Sequence, residues 1–397
     1  MMINNEKKLN ILVDYSFVKK KPPGPVSIHI FLGRLLKGLN EDERFNPIIL
    51  LWKGMEEYID FLAGYKTDKI VVDGNMKVTP SVKLDRLLML SPITKLLRER
   101  QTDVVITPEF SPYAFFFPKK YHQHLIIHDL IQIHRSNNKR SVQLYYKYMM
   151  KWGLFRVAHV ITISQQTHKL VKEWGHRDSD IVYNSIPFDF QTAEEPVNCV
   201  ICKKYILDVN RFNEYKNPET LVKAMALLKE KIPHLLYFKG YSNDPSYMAK
   251  LKETIEELHL EDRIIIDTSY RSEGELRYLY THADLFVTPS WEEGFGYTPI
   301  EAAVLKTPIL VSNIPTLCEV TKGRVPMFNP HSPEELASKI LSIINTPPTE
   351  VERTALADFY LHEYSLKNQI DQLAKVIYKN LGIMTIHQAP EAPSSQP

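Results

Sequence analysis

The chain has 397 residues, which exceeds the usual size of a single hydrophobic core and predicts two domains. Its 49 basic and 47 acidic residues leave a formal net charge of +2, which argues against a protein that coats nucleic acid, so no nucleic-acid partner is expected. Only 14 glycines occur, and each is a candidate for a backbone position that needs a bare Cα.

The amino-terminal stretch MMINNEKKLNILVDYSF lacks the apolar core of a signal peptide. No apolar run approaches the roughly 18 residues of a membrane span. We therefore expect a cytoplasmic protein, and its three cysteines fit a reducing compartment. Cys199 and Cys202 lie in apolar CVIC without a second ligand pair at zinc spacing, which favours a buried strand over a metal or redox site.

Apolar strands alternate with helical stretches, the pattern of parallel α/β architecture. In the first half the predicted strands lie at residues 11–13, 48–51, 70–72, 104–106, 125–127 and 160–163. After a polar, proline-containing stretch at 187–204, further strands are predicted at 205–207, 235–238, 264–266, 285–287 and 309–311. The fold class is thus α/β, with two Rossmann-like, doubly wound parallel sheets facing a cleft that receives ligands at the carboxyl ends of the strands.

We place the domain boundary near residue 198. This gives an N-terminal domain of residues 1–198 and a C-terminal domain of residues 199–364. A last helix over about 365–381 is expected to pack back on the first domain. Residues 384–397 are rich in Pro, Ser and Ala and are expected to be disordered.

The stretch PSWEEGFGYTPIEA at 289–302 places two glycines between a strand and a helix. The helix is predicted to begin with Thr298 as N-cap and Pro299 in the first position, and to end near Lys306. Gly294 and Gly296 then precede a helix amino terminus, where unpaired N–H groups and the positive dipole end attract an anion such as phosphate.

Two glutamates flank this turn, and they invite different explanations. Glu301 can complete a capping box with Thr298, which needs no ligand. Glu293 has no cap to complete, and a carboxylate beside an anion site favours a neutral, hydroxyl-rich partner such as a sugar or a ribose. A purely structural turn and a nucleotide-sugar site both remain open on these residues alone.

A second loop, VNRFNEYKNPE, follows the strand at 205–207. It carries Arg211 and Lys216, and Asn217-Pro218 begins the next helix. Basic loop residues taken singly are usually solvated. Beside a diphosphate they would instead stabilise the charge that develops on a leaving group.

His128 and Asp129 directly follow the strand at 125–127, so both are predicted at the cleft edge of the first domain. A lone histidine there is either a packed residue or a site residue. The DxD sequence at 178–180 precedes a short strand at 181–182, on the side of the sheet away from ligand, and is predicted to be a surface loop. Other histidines lack metal-binding spacing: His122, His124 and His134.

Two basic segments raise the alternative of peripheral membrane contact. One is Lys19–Lys21. The other is a helix near residues 93–100, where basic residues accompany an apolar face that also fits an ordinary amphipathic helix: Ile93, Lys95, Leu96, Leu97, Arg98 and Arg100.

The EGFG sequence at 293–296, with Glu301 eight positions after Glu293, resembles the E-x7-E signature of retaining glycosyltransferases of family 4. Members of that family have two Rossmann-like domains in the GT-B arrangement. The resemblance implies that the domain of residues 1–198 binds the acceptor and that the domain of residues 199–364 binds the nucleotide-sugar donor. The resemblance implies that Glu293 lies near the transferred sugar, that the backbone from Gly294 to Tyr297 approaches the sugar and phosphates, and that Glu301 binds the ribose hydroxyls.

The other loops resemble the family less closely. The HDL sequence at 128–130 implies that His128 lies near the donor sugar, and Arg211 and Lys216 match the family's basic pair. Asn210 stands where many relatives have glycine, and Gly24 lies between prolines where relatives have adjacent glycines, so acceptor binding is the least specified part. The implied catalytic residues are His128, Arg211, Lys216 and Glu293. The implied donor-binding residues are Arg211, Lys216, Glu293, Gly294, Phe295, Gly296, Tyr297 and Glu301.

The resemblance implies a retaining, metal-independent transferase without a cofactor. It would move a sugar from a GDP- or UDP-sugar to a hydroxyl of a glycan, lipid-linked or small-molecule acceptor in polysaccharide or glycoconjugate synthesis. Two alternatives stay open: a nucleotide-sugar epimerase of the same fold, and a catalytically silent sugar-nucleotide-binding subunit. The expected location is cytoplasmic, with peripheral contact at the inner face of the membrane as a further expectation.

Overall fold

The computed structural model describes residues 8–18, 27–72, 93–110, 116–131, 133, 140–186, 193–200, 203–242 and 244–383. Several sequence expectations fall outside these ranges. They concern Lys19–Lys21, Gly24, His134, Cys202 and the tail at 384–397.

The first sheet has seven parallel strands within the described residues, in the order β3-β2-β1-β4-β5-β6-β7. Its strands are β1 Leu9–Asp14, β2 Phe45–Trp52, β3 Asp68–Val72, β4 Val104–Thr107, β5 His124–Ile127, β6 His159–Thr162 and β7 Asp180–Ile181. The inner strands read as continuous apolar runs because helices cover both faces of a parallel sheet. The associated helices are α1 Ser27–Glu41, α2 Glu56–Ala63, α3 Arg140–Arg156 and α4 Gln165–Gly175.

The second sheet, again within the described residues, has six parallel strands in the order β10-β9-β8-β11-β12-β13. Its strands are β8 Tyr205–Val209, β9 Leu235–Lys239, β10 Ile264–Asp267, β11 Leu285–Thr288, β12 Ile309–Ser312 and β13 Met327–Phe328. The helices that follow these strands are α5 Pro218–Leu228, α6 Pro245–Glu257, α7 Glu273–Thr281, α8 Tyr297–Val304, α9 Pro315–Val320 and α10 Pro333–Asn345. Two more helices, α11 Glu350–Glu363 and α12 Leu366–Leu381, end the described chain.

All the predicted strands are present except the one proposed around Cys199. Residues Asn198–Val200 form a short 3-10 helix instead. The Val200 N–H donates to the Val197 carbonyl at 3.1 Å, so the backbone is satisfied locally while both valine side chains are buried. Apolar character alone did not distinguish this turn from a strand.

The last helix, predicted over about 365–381, is observed as α12 and lies against α1 of the first sheet. Gly38 permits the contact, since a Cβ there would lie 2.6 Å from Cγ1 of Ile370. An ion pair between Arg44 and Asp371, 2.6 Å long, adds a polar contact. The exact domain limits stay a prediction.

Residues 93–99 form a helix whose apolar side faces the protein interior. Ile93 and Leu97 are buried, and Lys95 pairs with Glu99 on the exposed side. The ordinary amphipathic helix is therefore the explanation that the structure supports for this segment. No helix among the described residues has the length and apolar character needed to cross a bilayer.

Candidate active site

The turn between β11 and α8 differs from the predicted capping box. Gly296 is the N-cap, with φ of 86°, and the helix begins at Tyr297, so Thr298 lies inside the first turn. The left-handed backbone at Gly296 starts the helix two residues earlier than a threonine cap would. Glu301 consequently has no cap to complete, and its Oε2 accepts a hydrogen bond from the Tyr280 hydroxyl at 2.8 Å.

The backbone of this turn presents a row of hydrogen-bond donors. Within the described part of the chain, none of the N–H groups from Gly294 to Thr298 donates to an acceptor. They stand at the amino end of α8, where the helix dipole adds partial positive charge. This arrangement is suited to bind phosphate oxygens.

The loop after β8 brings Lys216 to Glu293, 77 positions later in the chain. Lys216 Nζ lies 2.6 Å from Glu293 Oε1, and the side chains are only 14% and 8% exposed. The Ser290 hydroxyl donates to the same carboxylate oxygen at 2.7 Å. The sequence placed both residues at the site, but it did not predict that they form a buried ion pair.

Hydrogen bonds to backbone carbonyls hold the loop after β8 against the loop after β11. Asn217 has φ of 56°, and its side-chain Nδ2 donates to the carbonyls of Pro289 and Pro330 at 2.9 Å each. The Trp291 N–H donates to the Tyr215 carbonyl at 2.8 Å. The position of Lys216 is thus fixed relative to the glycine turn by groups that do not depend on the ion pair.

Arg211 occupies the same loop, and its guanidinium lies 5.2 Å from the centre of the Tyr241 ring. Asn210, which stands where many relatives have glycine, is accommodated in the loop, and its side chain donates to Asp208 Oδ1 at 2.6 Å. The neighbouring loop makes room for the Asn210 backbone through Gly240, where a Cβ would lie 1.7 Å from the Asn210 carbonyl oxygen.

His128 stands at the carboxyl end of β5, as predicted. Its Nε2 donates to the Pro108 carbonyl at 2.8 Å, and the ring packs edge-on against Phe31. Burial lowers the pKa of His128 to about 4, opposed by the bond to Pro108. The imidazole is therefore neutral near pH 7, with Nδ1 left as an acceptor rather than as a proton donor.

The two sheets meet at the glycine turn. A Cβ on Gly294 would lie 2.7 Å from the His128 carbonyl oxygen and 3.1 Å from Asp129 Cβ. The Ser164 hydroxyl donates to the Gly294 carbonyl at 3.0 Å, and the Gln165 N–H donates to Glu319 at 2.6 Å. Glycine at 294 thus allows the predicted residues of the two halves to share one cleft.

Sequence reasoning missed two acids in this cleft. Glu109 follows β4, and its pKa is raised to about 7 by burial and by Asp129, against the lowering effect of Arg211. Asp208 is the penultimate residue of β8, and burial raises its pKa to about 7 while the bond from Asn210 and the charge of Lys216 act in the opposite direction. The rule that located His128, a polar residue at the carboxyl end of a buried strand, would have found both.

Glu301 also ionises at a higher pH than an exposed glutamate. Burial raises the pKa of Glu301 to about 7, although the hydrogen bond from Tyr280 acts to lower it. The bond from Tyr280 uses only one of the acceptor sites of the carboxylate, so the two oxygens can still accept from further hydroxyl groups.

Phe295 and Tyr297 differ from the polar residues of the site. The Phe295 side chain is buried and packs edge-on against Tyr364, with 5.4 Å between ring centres. Its ring also contacts that of Tyr297. The implied contribution of Phe295 to donor binding is thereby restricted to its backbone.

The DxD sequence lies away from this cleft. β7 begins at Asp180, and Oδ1 of that residue pairs with Lys379 Nζ on α12 at 2.5 Å. The amino edge of the sheet is as predicted, whereas Asp180 belongs to β7 rather than to a surface loop. Across the described ranges, no cluster of three or more His, Cys, Asp or Glu side chains is arranged to hold a metal ion.

Comparison with known proteins finds glycosyltransferases among the relatives of this chain. Residues 196–356 match the family model described as Glycosyl transferases group 1. The O-antigen chain mannosyltransferase RfbU of Salmonella typhimurium is 27% identical over 236 residues, covering 58% of this chain and 63% of that protein. The serotype-specific mannosyltransferase WbdA of Escherichia coli is 30% identical over 205 residues, covering 48% of this chain and 25% of that protein.

Solved structures resemble almost the whole chain. A glycosyltransferase from Rickettsia africae superposes with a TM-score of 0.70 at 21% identity, covering 94% of this chain and 99% of that one. HepE from Anabaena, solved with UDP and glucose, gives a TM-score of 0.67 at 15% identity and covers 94% and 100%. The chain has the GT-B fold. The matches to RfbU and WbdA span less than two thirds of those proteins.

Proposed function

We propose that this chain is a retaining, metal-independent glycosyltransferase that uses a nucleoside diphosphate sugar. The observation that carries the proposal is the Lys216–Glu293 ion pair, 2.6 Å long, beside the N–H groups of Gly294 to Thr298 at the amino end of α8, which donate to no acceptor among the described residues. A cation and a row of donors suit a diphosphate, whereas a carboxylate at the same point suits the hydroxyls of a sugar. The match to the Glycosyl transferases group 1 model over 196–356 supports it.

In this proposal the diphosphate binds the N–H groups of Gly294 to Thr298, with Arg211 and Lys216 stabilising the charge that develops on it. Glu293 lies near the sugar and Glu301 accepts from the ribose hydroxyls. Neutral His128 offers Nδ1 to a hydroxyl of the donor sugar or the acceptor.

The reaction breaks the bond between the anomeric carbon and the diphosphate oxygen, and forms one to the acceptor oxygen on the same face. The acceptor proton passes to the departing phosphate oxygen, so no nucleophilic side chain is needed. Two cations and a helix amino terminus carry the charge stabilisation that a metal provides in other enzymes.

Mannose is the first sugar to test, because RfbU and WbdA are both named mannosyltransferases. GDP and UDP remain the candidate carriers, and HepE was solved with UDP. We propose a hydroxyl of a glycan, lipid-linked or small-molecule acceptor in polysaccharide or glycoconjugate synthesis.

The test is incubation of the purified protein, without added metal and with a chelator, with GDP- and UDP-sugars. We expect slow donor hydrolysis, with the released sugar retaining its anomeric configuration by proton NMR. Epimer formation would support a nucleotide-sugar epimerase instead. Binding without turnover would support a silent subunit.

Donor affinity is expected to rise with pH through the pKa of Glu301. The donor's own phosphodiester groups stay ionised, and hydroxyls donate better to the carboxylate than to the acid. With a pKa of about 7, the ionisation of Glu301 by itself should make binding about tenfold tighter at pH 8 than at pH 6. Calorimetric titration of the donor across this range measures the effect.

The control is Glu301→Gln, which should bind weakly and lose the rise in affinity with pH. Ionisation of Glu109 and Asp208, whose pKa values are also about 7, adds negative charge to the cleft, so the affinity of this variant should fall with pH. In the unliganded protein, the contribution of Glu301 to folding stability should fall as pH rises, which is opposite to its effect on donor affinity. Because its folded-state pKa is raised, its contribution to stability is largest at low pH and is lost as pH rises through about 7. Equal pH profiles in the parent protein and in Glu301→Gln would remove Glu301 from the ribose site.

A further inference from the structure

Helix α3 carries an exposed apolar face. Four of its residues are spaced by four, four and three positions, and their exposed fractions are high: Leu144 47%, Tyr148 70%, Trp152 46% and Phe155 79%. At about 100° per residue they lie within an arc of about 80°, and they extend over about 16 Å. This is a continuous stripe rather than scattered apolar residues.

The charge on α3 is of one sign. Its sequence, RSVQLYYKYMMKWGLFR, contains no acidic residue. Lys147 and Lys151 are exposed on one side of the stripe, and Arg156 is exposed on the other side at the end of the helix. The stripe is thus flanked by positive charge.

The opposite side of α3 anchors the helix. Met150 and Leu154 are buried, and Gly153 lies so close to Phe110 that a Cβ would be 2.8 Å from its ring. Within the stripe, the Phe116 ring packs edge-on against Trp152 at 4.7 Å between ring centres. Packing therefore accounts for the buried side and for one edge of Trp152, and it leaves Leu144, Tyr148 and Phe155 exposed.

We propose that this face of α3 docks the protein onto an anionic lipid bilayer. Aromatic side chains flanked by lysines match the depth profile of a bilayer surface, with apolar rings among the acyl chains and bases at the phosphates. A second copy of the chain fits less well, because a two-fold contact would place lysines of one copy against lysines of the other.

This surface differs from the segments that the sequence suggested for membrane contact. The helix at residues 93–99 buries Ile93 and Leu97, whereas α3 buries one apolar side and exposes a second one, the stripe. The docking does not rest on the transferase reaction. Vesicle binding and donor turnover can therefore succeed or fail separately.

The test is flotation with phosphatidylcholine vesicles containing about one third phosphatidylglycerol. We expect the full chain to float with these vesicles and not with pure phosphatidylcholine. The variant Tyr148→Ser with Phe155→Ser should bind at least about tenfold more weakly, since two aromatic anchors are lost. Lys147→Gln with Lys151→Gln should weaken binding mainly at low salt.

Phe61→Ser is the matched control. Phe61 is 80% exposed on α2, whose sequence EEYIDFLA is acidic, and its loss should leave flotation unchanged. Melting temperature and donor binding should be unchanged in the α3 variants. Absence of flotation by the parent chain, or equal flotation of the α3 and Phe61 variants, would overturn the proposal. Light scattering that shows a dimer lost only in the α3 variants, without vesicle binding, would assign the face to self-association instead.

Discussion

Lys216→Met is expected to lower both the stability and the turnover of this protein. The change leaves the Glu293 carboxylate 8% exposed without its cation, with Ser290 as its remaining hydrogen-bond donor. Breaking a buried ion pair at one partner typically costs about 3–5 kcal/mol. Because Lys216 also faces the proposed diphosphate, we expect donor turnover to fall at least about tenfold.

The double variant Lys216→Met with Glu293→Gln separates the two effects. It removes both charges, so unfolding in urea should show most of the lost stability restored. Turnover should stay low, because the sugar and diphosphate contacts are both missing. Recovery of turnover together with stability would show that the pair has only a structural role.

The first sheet offers a matched ion pair. Lys69 Nζ lies 2.6 Å from Asp60 Oδ1, with side chains 13% and 30% exposed. Lys69→Met should therefore reduce stability while leaving donor turnover unchanged. A similar loss of turnover in this variant would mean that reduced stability alone explains the Lys216 result.

Gly294→Ala is also expected to cause a large loss of donor turnover. Its Cβ would lie 2.7 Å from the His128 carbonyl oxygen and 3.1 Å from Asp129 Cβ, so backbone must move on one side of the cleft. A displacement of about 1 Å between reacting groups can reduce turnover about a hundredfold. We expect a loss of that size in donor hydrolysis.

Gly323→Ala controls for the general effect of replacing a glycine. Gly323 has φ of 63° and nothing within 4 Å of the position of a Cβ, so the change introduces backbone strain without a steric clash. Its melting temperature should fall slightly while turnover persists. Full turnover in Gly294→Ala would show that the close approach to His128 is not needed.

The sequence predicted most of the strands of this protein and the two sheets that they form. Parallel strands are buried on both faces, so apolar runs such as those at 104–106 and 285–287 indicated strands without tertiary information. The strand-end rule then placed His128, Arg211 and Lys216 at one edge of their sheets. The prediction of a strand around Cys199 was wrong, because an apolar run of this length fits a strand or a helical turn, and Asn198–Val200 form a 3-10 helix.

By itself, therefore, the sequence determined the two parallel sheets and the edge at which polar loops gather, because both follow from local patterns of apolar and polar residues. Only the tertiary structure decided that Lys216 pairs with Glu293, that Glu301 accepts from Tyr280 rather than capping a helix, and that α3 leaves its aromatic face exposed. These contacts join residues far apart in the chain or depend on what covers a helix. Distances and burial of that kind are set by how the two sheets and their helices pack, which a one-dimensional pattern does not encode.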